Sequence, residues 1–259
     1  MITLVKIGGN VVDNPELLAK FCKDFASLEG PKVLVHGGGV MASQMQKQLG
    51  MEAVMIEGRR VTDEDALKVV TMVYAGWCNK NIVALLQGCE CNAIGLAGCD
   101  ASVIRASRRA PKTLSDGVTV VDYGFVGDVT PQSVNSQFIH TLLDAGAVPV
   151  FCAINHDGDG HLLNTNADTI ASSIASKLSA QLLYCFEKNG VLYDKDQDDS
   201  VIPFINPELF TTLKAEGVIA GGMIPKVENA LKALNDGANS VIIKNSGQLL
   251  EDKGTKISL

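Results

Sequence analysis

An α/β protein with a mainly parallel sheet, covered by helices on both faces, is the fold class that the 259-residue sequence predicts. Short apolar runs alternate with stretches of helical periodicity along the chain, the mark of strands buried on both faces and linked by helical crossovers. Glycine clusters end the first two apolar runs, where the backbone must turn. Hydrophobic residues make up 46% of the chain, enough for a sizeable core, and a chain of this size buries about 70–75% of its extended surface on folding. No linker or low-complexity segment divides it. Two lobes sharing one sheet are expected, residues 1–176 and 177–259, with the seam near residues 175–180.

The elements follow in order. Residues 2–7 read as a strand, stopped by Gly8-Gly9, and residues 15–28 then place Leu18, Phe21, Cys22, Phe25 and Leu28 at helical spacing. Residues 33–36 form the second strand, ended by Gly37-Gly38-Gly39 before a helix over 40–49. Thr62 is placed to cap a long helix over 63–86, with Asp65 reaching back from its third position. A less regular, β-rich stretch covers 91–129. Helix returns over 131–145, then a strand over 148–154 and an Asp-Gly hairpin turn at 156–160. A helix over 167–178, a strand over 181–186, helices over 207–216 and 225–236 and a strand over 240–244 complete the repeat.

Charge and cysteine usage narrow the function. Lys and Arg number 22 against 29 Asp and Glu, a net charge of −7, which argues against nucleic acid or an anionic membrane as partner because both need a basic footprint. A few lysines and backbone amides can still hold a phosphorylated ligand. The seven cysteines are scattered, without a CxxC pair or zinc spacing around Cys89-x-Cys91, and read as reduced, buried thiols. Lys6 and Asp13 interrupt the N-terminal segment, so no signal-peptide core is present, and no run of about 20 apolar residues occurs. A cytoplasmic protein is expected.

Two lysines stand in unexpected places. Lys6 is an ammonium group inside an apolar strand, one step before a double glycine, at the strand end where open α/β sheets bind ligands. Burying it unpaired costs several kcal/mol, so it needs an anion or a route to water. Lys226 follows Gly221-Gly222-Met223-Ile224-Pro225, with Pro225 expected at the first helical position. There it faces the positive end of the helix dipole, unfavourable by about 0.3–1 kcal/mol unless a phosphate shares that end. Asp168, in Asn164-x-Asn166-Ala167-Asp168, serves either as a helix-start acid or as the acceptor that both lysines need. Arg60, just before the long helix, can grip a carboxylate with two parallel hydrogen bonds or lie on the surface. Gly37-x-Gly39-x-x-Ala42 with Glu57 loosely fits a dinucleotide fingerprint, the basis of a rival reading as an NAD(P)-dependent oxidoreductase, but that reading leaves both lysines unexplained. There is no Walker A motif and no protein-kinase signature.

Read together, Lys6-Ile7-Gly8-Gly9, His36-Gly37-Gly38-Gly39, Gly58-Arg59-Arg60-Val61-Thr62, Gly124-Phe125-Val126-Gly127-Asp128-Val129, Asn164-x-Asn166-Ala167-Asp168 and Gly221-Gly222-Met223-Ile224-Pro225-Lys226 form an ordered set. That set resembles the acetylglutamate kinases, within the amino-acid kinase family, over nearly the whole chain. The resemblance implies an open, three-layer αβα sandwich whose N-terminal lobe holds an acylated glutamate and whose C-terminal lobe holds ATP with Mg²⁺. By the same resemblance, Lys6 and Lys226 stabilise the transferring phosphoryl group and Asp168 orients them. Gly8, Gly9, Gly38 and Gly39 bring backbone amides to phosphate and substrate, Arg60 clamps the substrate carboxylate, and Asn164 contacts the substrate. The adenine side falls to the segments holding Glu187, Gly190, Gly221, Gly222 and Met223, and no protein side chain is expected to ligate the metal.

Two departures stand out. Phe186-Glu187-Lys188-Asn189 occupies the place where the family usually has a Ser/Thr-Asp pair. Arg59 beside Arg60 adds a cation, which makes N-succinyl-L-glutamate an alternative to the N-acetyl substrate. Only five residues precede Lys6, so a homodimer insensitive to arginine is expected rather than a hexamer built through an N-terminal helix. The long helix after Thr62, with Trp77, is the candidate interface.

Overall fold

A computed structural model of the chain describes residues 1–114 and 116–259. Eight strands form one sheet: Thr3–Ile7 (β1), Lys32–His36 (β2), Ala93–Leu96 (β3), Val148–Phe151 (β4), Gln181–Phe186 (β5), Phe204–Ile205 (β6), Ser240–Asn245 (β7) and Thr255–Ile257 (β8). Their order across the sheet is β6-β8-β7-β5-β1-β2-β4-β3. All neighbouring pairs are parallel except β7 with β8. The central strands are apolar because both faces are covered: Val33, Leu34 and Val35 are fully buried. β1 lies between β2 and β5, so successive crossovers leave it in opposite directions. That reversal opens a crevice at the carboxyl edge, beside Lys6.

The helices are Gly9–Asp13 (α1), Pro15–Ala26 (α2), Gly39–Gln48 (α3), Glu64–Gly88 (α4), Ser136–Asp144 (α5), Ala167–Lys177 (α6), Pro207–Ala215 (α7) and Met223–Asn235 (α8). They lie on both sides of the sheet. α6 and α8 pack on each other, α6 also covering β1, β2 and β5 and α8 covering β7, while α2 packs on the second half of α4. α4 is the one described helix long and apolar enough to cross a bilayer by length and composition, and 44% of that stretch is buried within the fold.

Several expectations need correction. The cap of α4 is Asp63, whose carboxylate accepts from the Ala66 amide. Thr62 instead donates its hydroxyl to the Arg60 carbonyl and accepts from Asn164, because it is fully buried and recruited into a tertiary contact. α4 is also not uniform: Met72–Cys78 is π-helical between two α-helical halves. Hydrophobic spacing does not distinguish an i→i+5 turn from an α-turn. The helix expected over 131–145 begins only at Ser136, capped by Asn135; Pro131–Ser133 is a separate 3₁₀ turn. The strand expected over 148–154 breaks after Phe151. Ile154–His156 leaves the main sheet to pair with Leu162–Asn164 across the expected Asp-Gly turn. In α8, Pro225 is the third helical residue rather than the first, after the N-cap Gly222. The third amide has no intrahelical partner in any helix, so proline is harmless there. Among the cysteines, Cys22, Cys78, Cys91, Cys152 and Cys185 are buried and all seven are free thiols, but Cys89 is half-buried and Cys99 is exposed.

Close backbone approaches tie the motifs together. Gly124 has φ +73°, and a Cβ there would lie 2.3 Å from the Thr62 carbonyl oxygen. Only glycine lets these two segments join through the hydrogen bond from the Phe125 amide to that carbonyl, 2.7 Å long. The Asn164 amide in turn donates to the Phe125 carbonyl.

Candidate active site

The carboxyl edge of the sheet gathers the predicted charges. Lys6, the fourth residue of β1, places its Nζ 2.6 Å from Asp168 Oδ1. Lys226, in the first turns of α8, brings its Nζ within 4.0 Å of Asp168 Oδ2. Asp168 sits in the first turn of α6, which is capped by the Asn166 side chain through the Asp168 and Thr169 amides. The Tyr184 hydroxyl donates to the Asp168 backbone carbonyl at 2.9 Å. Burial alone pushes the Asp168 carboxyl up, but the ammonium groups of Lys6 and Lys226 and the Lys6 hydrogen bond outweigh it and hold the group below the usual carboxylate range. One carboxylate thus serves two cations, leaving an excess positive charge at the sheet edge.

Two adjoining hollows open there. The inner one, about 200 Å³, is lined by Lys6, Gly9, Gly37, Gly38, Gly39, Gly58, Arg59, Arg60, Tyr74, Asn164 and Asp168 among others. The outer one, about 440 Å³, shares Lys6, Gly9, Gly39 and Arg60 and adds Gly8, Asn10, Phe186, Glu187 and Lys226. The N-terminal ends of α1 and α3 border it, and neither has a side-chain cap or an acidic residue in its first turn. Their unsatisfied amides suit an anion.

Arg60 is buried and donates only to neutral acceptors: Gln46 Oε1, the Gly39 carbonyl at 2.9 Å and Ser43 Oγ at 2.8 Å. No ion pair involves it among the described residues. A buried guanidinium held by neutral groups at the wall of a hollow is a receptor for a carboxylate. Asn164 also lines the inner hollow, its amide nitrogen donating to Thr62 Oγ1 at 3.0 Å. Arg59 also lines the inner hollow, and burial together with the nearby Arg109 guanidinium pushes its pKa down.

Polar and apolar supports that the sequence reading assigned no role hold this wall. His36 is fully buried; its Nδ1 faces the Gly37 carbonyl at 2.7 Å and its Nε2 lies 3.1 Å from Asn79 Nδ2. A carbonyl can only accept, so Nδ1 carries the proton and Nε2 accepts from Asn79. The second Asn79 hydrogen goes to the Val150 carbonyl, locking α4 to β2 and β4. Tyr74, in the π-helical segment, packs so closely that a Cβ on Gly38 would lie 2.9 Å from its ring. Asn79 opens the polar triplet Asn79-Lys80-Asn81 and so does not stand out in sequence, and Gln46, Ser43 and Tyr74 likewise carry no local signature.

A third hollow, about 640 Å³, brings Lys188, Gly190, Val191 and Leu192 together with Ala220 and Met223. Two segments expected on the adenine side therefore share one cavity. Gly221 and Gly222 form the turn and cap into α8 and line none of these three hollows. Glu57, the acid of the rival fingerprint, lies on a hairpin turn at φ +47° and its carboxylate is engaged by Lys112 at 2.9 Å.

Fold and site together define a phosphotransferase acting on small molecules. The chain belongs to the amino acid kinase family, whose family model matches residues 1–245. It is similar to the acetylglutamate kinase of Cytophaga hutchinsonii, 52% identical over 252 residues that span 96% of this chain and 92% of that protein. It is also similar to the acetylglutamate kinase of Bacteroides fragilis, 50% identical over 260 residues spanning 99% and 96%. Its fold is that of carbamate kinase from Giardia lamblia bound to AMP-PNP, with a TM-score of 0.69 at 16% identity over 99% of this chain and 97% of that one. The family match removes the oxidoreductase reading.

The buried imidazole gives the site a pH dependence. Burial pushes His36 down to about 4, with the Lys6 ammonium adding to the effect against the Gly37 hydrogen bond. The unfolded chain therefore binds more protons than the folded one between pH 6.5 and 4. The stabilisation is complete above the unfolded value and is lost as pH falls, by roughly 3 kcal/mol across the window. Urea unfolding at pH 7 and pH 4 should show this loss, and a His36→Gln variant should lack it; equal losses in the two proteins would contradict a buried neutral ring.

Proposed function

We propose that the chain transfers the γ-phosphoryl group of ATP to the side-chain carboxylate of N-acetyl-L-glutamate, forming an acyl phosphate in arginine biosynthesis. The observation that carries this reading is the pair of lysines on Asp168, facing hollows that also contain the unpaired Arg60 guanidinium. One end of the site suits the transferring phosphoryl group, the other a fixed carboxylate. The inner hollow is lined only by residues up to Asp168 and the third hollow only by residues from Lys188 onward, in keeping with an acyl-amino-acid lobe over 1–176 and a nucleotide lobe over 177–259.

The chemistry needs little beyond position and charge. A carboxylate nucleophile is ionised at pH 7, so no general base is required. Arg60 and Asn164 hold the substrate so that its side-chain carboxylate oxygen points at the phosphorus, in line with the leaving ADP oxygen. Lys6 and Lys226 neutralise charge on the equatorial oxygens, and Asp168 keeps their ammonium groups converged. The amides of Gly9, Gly38 and Gly39 add donors; the Gly8 amide, expected to do the same, is instead committed to the Cys185 carbonyl at 3.1 Å by the pairing of β1 with β5. Of the carboxylates lining the inner and outer hollows, Asp168 is engaged by the lysines and Glu187 is exposed at the rim, a set that fits Mg²⁺ held mainly by the nucleotide's own phosphates. When bound, the metal supplies further charge neutralisation.

The chain is proposed to act as a homodimer through α4, where Met72 and Trp77 are 60% and 63% exposed. Sedimentation should give twice the chain mass, and Trp77→Glu should shift it to one chain; a monomeric wild type would refute the proposal. Lys6→Ala and Lys226→Ala should each lose about 3–4 kcal/mol of transition-state stabilisation, on the order of 10²–10³ in kcat, read by trapping the acyl phosphate with hydroxylamine. Near-full turnover in both would end the mechanism. A succinyl cap is a second reading, supported by Arg59 in the inner hollow. The kcat/KM for N-acetyl-L-glutamate should exceed that for N-succinyl-L-glutamate at least about tenfold, each tenfold being about 1.4 kcal/mol; the reverse order would make Arg59 a carboxylate receptor.

A further inference from the structure

Lys226 is harder to hold than Lys6. Lys6 is fixed by the β1 backbone and by a 2.6 Å contact to Asp168, whereas Lys226 reaches the same carboxylate only at 4.0 Å. It springs from the start of α8, whose first turn has no capping side chain and no acid. The positive end of that helix therefore repels its ammonium group. Its side chain is also 31% exposed, so four rotatable bonds are free to swing it into water. A second anchor is required if the ammonium is to be waiting where the phosphoryl group arrives.

The ring of Phe186 supplies one. Phe186 ends β5, is 8% exposed and lines the outer hollow beside Gly8, Lys6 and Lys226. Lys226 Nζ lies 5.8 Å from the ring centroid, within reach of the electron-rich face. The β1–β5 register pairs Lys6 with Tyr184 and Ile7 with Cys185, which brings Phe186 level with Gly8. A Cβ on Gly8 would come 3.8 Å from that of Phe186, so the two backbones meet directly under the hollow and the ring is held on the sheet edge.

We infer that Phe186 is a positioning residue for Lys226: its ring face and the Asp168 carboxylate hold the ammonium between them, aimed into the outer hollow before nucleotide binds. The inference rests on reading Lys226 as a phosphoryl-stabilising group. A ring that only filled space would be replaceable by any side chain of similar volume. A ring that attracts a cation would not, because the attraction comes from its π electrons rather than its shape.

The test replaces Phe186 by Leu, by Tyr and by a series of increasingly fluorinated phenylalanines, which drain the ring face of electron density while keeping its shape. Turnover is followed by hydroxylamine trapping, with Lys226→Ala as the reference. Phe186→Leu should lower kcat about five- to thirtyfold with the KM for the acylated glutamate unchanged, and Phe186→Tyr should retain turnover. Along the fluorinated series kcat should fall stepwise at constant Tm. A flat fluorinated series beside an impaired Lys226→Ala would overturn the role of Phe186 alone. Full turnover by Lys226→Ala would instead remove the reading on which it rests.

Discussion

One carboxylate shared by two ammonium groups at the carboxyl edge of a parallel sheet is the interaction on which this molecule depends. Asp168 is buried, and burial disfavours its charge; Lys6 and Lys226 restore it. The arrangement is electrically unfinished, with two positive charges against one negative. That excess is stable in the free protein because Lys226 remains partly exposed, and it favours an anion in the crevice. Much of the local architecture keeps this trio together: the Asn166 cap that starts α6, the Tyr184 hydroxyl on the Asp168 carbonyl, and the glycine turn that leads into α8.

Several buried polar groups around the inner hollow are held by partners on other elements, although Thr165 Oγ1 on its lining has none among the described residues. His36 and Asn79 join β2, α4 and β4 through two hydrogen bonds. Gln46, Ser43 and the Gly39 carbonyl fix the Arg60 guanidinium without neutralising it. The last point matters physically, because a carboxylate in any of those positions would have occupied the receptor. The π-helical turns of α4 bring Tyr74 and Cys78 against Gly38, so the tightest backbone turn of the site is backed by a rigid surface rather than by solvent.

The hollows differ in kind. Side chains with fixed partners, Arg60 and Asn164 among them, surround the small inner one. The third is larger and is walled by Lys188, Gly190, Leu192 and Met223 among others. Gly190 is held at φ +157° beside Thr255 Oγ1, whose hydroxyl accepts from the Val191 amide. Phe186 and Glu187 border the outer hollow instead.

What the amino-acid sequence determined unaided was the periodic skeleton and the positions of the misplaced charges. Strands buried on both faces are apolar throughout, so Val33-Leu34-Val35 is visible in one dimension, and a lysine inside such a run stands out because burying its charge is costly. Glycine turns at strand ends are equally local. Tertiary structure alone decided which charges meet and what holds them. Lys6 and Asp168 are 162 positions apart, Arg60 is held by residues 14 to 21 positions away, and Lys226 approaches a ring 40 positions earlier. The same holds for the smaller surprises. Thr62 lost its capping role because Asn164 claimed its hydroxyl, and the π-helical segment, with Tyr74 and Cys78 against Gly38, leaves no mark that a spacing rule registers. Periodicity is a property of neighbours along a chain, whereas hydrogen bonds and ion pairs are satisfied in space.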